Sequence, residues 1–236
     1  METNGGLWSI VIVSMTLHRP ASAPSPSQGG GRGRILWIVR HGQTADLEKG
    51  ILQGHAPIPL SPVGRKQVFA LAKRIRKSGV IFDGFFSSDL LRAKQTAEIL
   101  FAEVPLLPSP IFDPLLREVD TGLLTQMPLS QAEAFYAKEI AELTNQPWRS
   151  RRPGGESMSD VAERALRFLA SLEPGRHLVV THGGWLLALL GGFFGLKEKI
   201  FFLNPLPTSV TIFLPDDGQV PVFGDVGHLE QGAYDV

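Results

Sequence analysis

No cysteine occurs in this 236-residue chain, which excludes disulfides, thiolate zinc centres and cysteine nucleophiles while leaving the compartment open. Neither sign of charge is in excess, since 23 Lys and Arg balance 23 Asp and Glu. That balance argues against nucleic acid or an anionic membrane as the main partner, though it permits a local cluster of positive charge. No apolar run reads convincingly as a membrane span. Several chemical signatures are missing too. There is no Gly-x-Ser-x-Gly nucleophile elbow, no His-Glu-x-x-His zinc spacing and no Gly-x-x-x-x-Gly-Lys-Ser/Thr loop. No Gly-x-Gly-x-x-Gly follows a strand, and the glycines at 29–33 sit in a low-complexity stretch.

That stretch belongs to residues 1–33, a low-complexity N-terminal extension expected to be disordered, ahead of a single domain at 34–236. Residues 7–17 have the length of a signal-peptide core, and Ala21-Ser22-Ala23 resembles a cleavage site. The residues before that core include Glu2 and no basic side chain, which is the wrong leader. An untargeted, cytoplasmic protein is therefore the expectation, with translation from Met15 and secretion as alternatives.

The chain is organised around two similar junctions. Residues 35–39 are apolar and rich in β-branched and aromatic types, and they run into Arg40-His41-Gly42. Residues 177–181 run in the same way into His182-Gly183-Gly184. Each reads as a buried strand ending at a turn. Ligands of open α/β sheets bind at the carboxyl ends of strands.

Strands and helices alternate between and around these junctions. Residues 45–60 read as a loop. A helix begins with Ser61 as cap and Pro62 in its first turn and stops at Gly79. A strand at 80–86 precedes capping residues Ser87-Ser88-Asp89 and a helix at about 90–101 that carries Arg92 in its first turn. A proline-interrupted strand at 104–112 leads to the carboxylate-bearing loop 115–122. Helices follow at 128–143 and 157–172, then the second histidine strand, a helix at 185–194, and strands at 209–214 and 220–226. This pattern is α/β: a three-layer α/β/α sandwich with a mostly parallel central sheet.

The candidate cluster is Arg40, His41, Arg92, His182 and a carboxylate such as Glu118. Two guanidiniums and a cationic imidazole suit a phosphate dianion. A second, neutral imidazole can attack phosphorus. A carboxylic acid with a raised pKa can protonate the leaving oxygen. This is phosphoryl transfer with no metal or other cofactor, and arginines disfavour a cation beside the two histidines. The expected partner is a small phosphate ester, with no nucleic acid and no membrane; a homodimer is compatible with the sequence. Phe135, Tyr136, Trp148 and Trp185 are candidates for an apolar leaving-group pocket or for the core.

These residues resemble the signature of the histidine phosphatase superfamily, the phosphoglycerate mutase-like group. The likeness runs from Arg40-His41-Gly42-Gln43-Thr44 through Leu52-Gln53-Gly54-His55, Pro59-Leu60-Ser61-Pro62-Val63-Gly64, Ser87-Ser88-Asp89-Leu90-Leu91-Arg92-Ala93, Leu116-Arg117-Glu118 and Pro153-Gly154-Gly155-Glu156-Ser157 to Thr181-His182-Gly183-Gly184. The resemblance implies a phosphoglycerate mutase-like fold with His41 as nucleophile. Glu118 is implied as acid then base, and Arg40, Arg92, His182 and the Gly183 N–H as phosphate contacts. Gln53, Gly54 and Glu156 are implied near the substrate. Leu47 replaces an asparagine that many members carry, and Leu123-Leu124-Thr125 replaces their aromatic-Glu-Gly. The short segment between Glu118 and His182 favours a hydrolase over a mutase of this family, and Leu47 motivates a third reading, a weakly active phosphate-binding protein.

Overall fold

The computed structural model describes residues 33–229. The extension at 1–33, apart from Gly33, and the start site within it lie outside the described residues. Six strands form one mixed sheet: β1 (Arg34–Arg40), β2 (Gly84–Ser87), β3 (Ile111–Phe112), β4 (Gly175–Thr181), β5 (Val210–Leu214) and β6 (Gln219–Asp225). Their spatial order is β3-β2-β4-β1-β5-β6. β4 runs parallel to β1 and β2, β2 runs parallel to β3, and β5 alone is reversed, antiparallel to β1 and β6. The sheet is therefore mostly parallel, as the strand–helix alternation implies.

Seven α-helices accompany these strands: α1 (Ala45–Glu48), α2 (Pro62–Ser78), α3 (Leu91–Glu103), α4 (Leu129–Phe135), α5 (Ala137–Asn145), α6 (Met158–Ser171) and α7 (Gly183–Phe193). The apolar stripes of α2 and α3 (Val68, Leu71, Ile75, Ala93, Ala97 and Leu100) pack with Val39, Phe85, Leu178 and Val180. The opposite face of the sheet, with Leu36, Ile38, Val179 and Phe213, meets Val161, Ala165, Phe168, Trp185 and Leu189 from α6 and α7. Residues alternate between the two layers along β1, as a strand buried on both faces requires. None of the helices among the described residues is long and apolar enough to cross a membrane.

The local readings differ from the structure in several places. Residues 45–48 form one helical turn inside the expected loop, because the Thr44 hydroxyl caps the Leu47 N–H at 3.3 Å. β2 is confined to residues 84–87; before it, Asp83 bonds the Arg176 backbone and Ile81 is exposed. Only Ile111 and Phe112 pair as β3, since Pro105, Pro108 and Pro110 carry no N–H for a ladder. The helix expected over 128–143 breaks at Tyr136, whose backbone (φ −127°, ψ 39°) is not helical. The Ser87-Ser88-Asp89 group does not cap α3, whose N-cap is Leu90 with no side-chain bond. Trp148 and Trp185 are core residues, 4% and 0% exposed, so neither lines a leaving-group pocket.

Candidate active site

The parallel register of β1 and β4 sets Arg40 opposite Thr181. One residue further, the His41 N–H donates to the Thr181 carbonyl at 2.9 Å, and His41 and His182 face each other with ring centroids 5.0 Å apart. Two strand ends distant in sequence thus place both imidazoles at one point of the sheet edge. Both are buried, at 3% and 0% exposure.

The His41 ring is fixed in one tautomer. Its Nδ1 lies 2.7 Å from the Gly42 carbonyl oxygen. A carbonyl can only accept, so Nδ1 carries the proton and Nε2 presents a lone pair. Arg92 donates its Nε–H to that Nε2 at 3.2 Å. Burial, Arg92 and Arg40 hold the His41 pKa well below its ordinary value of 6.5. A neutral imidazole with no proton on Nε2 is the form a nucleophile requires, and at rest that lone pair accepts from Arg92.

Arg92 is 1% exposed, and carbonyls hold its other nitrogens: Nη2 donates to Gly54 at 2.9 Å and Nη1 to Ala56 at 3.4 Å. Burial lowers its pKa to about 10, so it remains a cation at neutral pH. Gly54, at φ +44°, has no room for a side chain, because a Cβ would lie 2.1 Å from Thr121 Oγ1. Gln53 donates to the Thr44 hydroxyl at 2.7 Å, and its Oε1 is buried without a partner. The Gly54 carbonyl supports Arg92, and Gln53 supports the turn after His41.

Arg40 donates Nη1–H to the Pro205 carbonyl at 2.6 Å, and its buried Nε has no protein partner. Burial lowers its pKa, and Glu118 opposes that shift. A Cβ on Gly183 would sit 3.5 Å from this guanidinium, so the start of α7 lies against Arg40. His182 Nε2 lies 2.8 Å from Ser88 Oγ, and its Nδ1 is buried without a partner. Burial, Arg92 and His41 push the His182 pKa well below 6.5. The resting site therefore holds two neutral imidazoles, whereas the sequence suggests one cationic. A dianion beside His182 would favour its protonation.

Glu118 closes the cluster. Its carboxylate accepts backbone N–H bonds from Gly184 (3.1 Å), Trp185 (3.1 Å) and Val119 (3.0 Å), at the positive end of α7. A Cβ at Gly184 would fall 2.4 Å from Glu118 Oε1, so the second glycine after His182 makes this approach possible. Among the described residues, no group of three or more His, Asp or Glu side chains is arranged to hold a metal ion.

Arg164 on α6 organises the acid loop. Its guanidinium donates to the carbonyls of Leu115 (2.9 Å), Arg117 (2.5 Å) and Glu118 (2.8 Å), and it pairs with Glu156 at 3.0 Å. Glu156 in turn accepts the Asp120 N–H at 2.9 Å. Glu156 therefore acts on the loop that carries Glu118. On its other side His55 Nε2–H donates to the Glu118 carbonyl at 2.7 Å. Arg117 forks onto Asp89 at 2.7 and 2.5 Å, joining this loop to the start of α3. Sequence reasoning missed Arg164, although a signal was present: it lies three residues after Val161 and four before Phe168, on the apolar stripe of α6.

The sequence model of the histidine phosphatase superfamily (branch 1) matches residues 36–223. The chain is 32% identical over 215 residues to a Cronobacter sakazakii protein named "Probable phosphoglycerate mutase GpmB", covering 85% of this chain and 97% of that one. Among solved structures it resembles Bacillus stearothermophilus YhfR (TM-score 0.76, 30% identity, 84% of this chain and 100% of the other). It also resembles a mycobacterial glucosyl-3-phosphoglycerate phosphatase solved with VO3 (TM-score 0.66, 27% identity, 81% and 99% coverage).

Proposed function

The chain belongs to the histidine phosphatase superfamily (branch 1), and on that premise we propose that it is a metal-independent phosphomonoesterase. It hydrolyses a small phosphorylated metabolite through a phosphohistidine on His41. The observation that carries this reading is the fixed tautomer of His41, with its Nε2 lone pair beside Arg92 and its ring against His182. In the first step Nε2 attacks phosphorus, the bond to the leaving oxygen breaks, and the Glu118 carboxyl gives that oxygen its proton. In the second, the Glu118 carboxylate takes a proton from water. The hydroxide attacks phosphorus, the P–N bond breaks, and inorganic phosphate leaves a neutral His41 behind. Arg40 Nε, Arg92 and His182 bind the equatorial oxygens, where charge-assisted bonds in a buried site stabilise the transition state.

Hydrolysis of p-nitrophenyl phosphate by chelator-treated protein tests this reading. Turnover is expected, with loss of about a thousandfold or more in His41→Ala. Activity that survives His41→Ala, or that needs added Mg²⁺, overturns it. The name of the GpmB relative favours a second reading, transfer of phosphate between positions of a phosphoglycerate. Strong dependence of activity on 2,3-bisphosphoglycerate would select it.

A further inference from the structure

A segment after α7 grips Arg40 at three points. The Pro205 carbonyl accepts from its guanidinium at 2.6 Å, the Ser209 carbonyl accepts its backbone N–H at 3.3 Å, and the Thr208 N–H donates to its carbonyl at 3.0 Å. The same Thr208 N–H lies 3.3 Å from the His41 carbonyl. Thr208 reaches both carbonyls from a left-handed backbone (φ 59°) while fully buried. A β-branched residue holds that conformation only where its surroundings enforce it.

One of the contacts that hold it there comes from beyond β6. The Thr208 hydroxyl has one proton and donates it to the Pro207 carbonyl at 2.7 Å. The hydroxyl oxygen must therefore accept from His228, whose Nε2 lies 3.1 Å away. That fixes the His228 tautomer and leaves its Nδ1 as acceptor toward Arg74 Nη1–H at 3.5 Å. Arg74 on α2 is itself paired with Asp225, whose Oδ1 accepts the Gly227 N–H at 2.8 Å. Burial and Arg74 depress the His228 pKa to about 4, which keeps the ring neutral and the donor order intact at neutral pH.

We propose that His228 is a positioning residue for the phosphate clamp: by fixing the Thr208 hydroxyl it locks the segment that holds Arg40 and the His41 carbonyl in place. The proposal rests on the reading of Arg40 as a phosphate contact. His228 touches no reacting atom and acts only through Thr208.

Vanadate inhibition of p-nitrophenyl phosphate turnover, measured on the full chain, tests it. Arg40→Ala should weaken vanadate about a hundredfold. His228→Ala should weaken it about tenfold, the scale of one buried hydrogen bond, with little change in melting temperature. His228→Gln, whose amide can still donate to Thr208, should recover most of the loss. In a Thr208→Ala background, His228→Ala should add nothing further. Unchanged vanadate affinity in His228→Ala overturns the proposal. So does a loss that glutamine does not rescue, or one that persists in full beside Thr208→Ala. If Arg40→Ala itself leaves vanadate binding intact, the phosphate reading of Arg40 fails and this proposal falls with it. If Arg40→Ala weakens binding and His228→Ala does not, only this proposal falls.

Discussion

Arg92 donates its Nε–H to Nε2 of His41 across 3.2 Å, although 51 residues separate the two. The contact ties a cation to the unprotonated nitrogen of a buried imidazole.

Replacing Arg92 should therefore impair chemistry more than folding. Arg92→Ala is expected to lower kcat/KM by about two to three orders of magnitude, the range for one preorganised donor to a transition-state oxygen. Arg92→Lys keeps the charge but cannot contact both His41 and the Gly54 carbonyl, so it should recover only part of the loss. Steady-state kinetics with an aryl phosphate check both.

In the proposed mechanism Glu118 serves the two half-reactions differently. Glu118→Gln removes the proton donor and the base and keeps one oxygen, which can still accept from the Trp185 N–H on Oε1 while the Gly184 N–H on Oε2 loses its acceptor. With p-nitrophenyl phosphate, whose leaving group needs little protonation, the first half-reaction should persist and the second should slow by about 10²-fold or more. A rapid burst of nitrophenolate, close to one per protein, followed by slow turnover is the expected trace. An absence of burst at equal turnover would contradict the role of Glu118 in the second step.

Arg164 is expected to matter first for stability. Its guanidinium satisfies three carbonyls and Glu156 at 7% exposure, so Arg164→Ala leaves buried acceptors and a carboxylate without their partner. Breaking such a pair typically costs about 3 to 5 kcal/mol. Urea unfolding should show a loss at the lower end of that range, together with a fall in kcat as the Glu118 loop loosens.

The two halves of the site differ in how far the chain alone reveals them. Residues 35–39 and 178–180 are apolar runs that lead into His41-Gly42 and His182-Gly183, so both strands and their meeting at one edge follow from local pattern. So does α2, with Ser61 as cap, Pro62 at its start and a left-handed Gly79 at its end. The Arg164–Glu156–Asp120 relay does not follow in this way. Its Arg164–Glu156 pair is local, 8 residues apart, but the contacts that carry it to the acid loop join positions 36 and 46 residues apart, and only the odd charge on an apolar stripe hints at it. Ser88 illustrates the same limit. It has the composition of a helix cap, yet the close approach of β2 to β4 makes it the partner of His182. Leu47, whose side chain offers no donor, has its backbone N–H held by Thr44.

Stability should fall as the solution is acidified through the histidine range. His41 and His182 have folded pKa values well below the unfolded 6.5. Between those folded values and 6.5 the unfolded chain binds the protons and the native one does not, so stability is full above 6.5 and lost as pH drops. Each imidazole contributes up to about one proton, or about 1.4 kcal/mol per pH unit. His228, depressed to about 4, acts in the same direction. The lowered carboxyls of Asp89, Asp160 and Asp225 enter only as pH falls below about 3.8. Urea midpoints should decline steadily from pH 7 to pH 5; a flat profile would contradict two buried neutral imidazoles.

The position of phosphorus on the trapped phosphoenzyme tests the central claim most directly. In His41 the Nδ1 proton is committed to the Gly42 carbonyl, which leaves Nε2 as the attacking atom. Phosphorus–proton correlation NMR of the acid-labile, base-stable intermediate, accumulated in Glu118→Gln, is predicted to show phosphate on Nε2 of His41. Phosphate on Nδ1, on His182 or on no histidine at all would contradict the account.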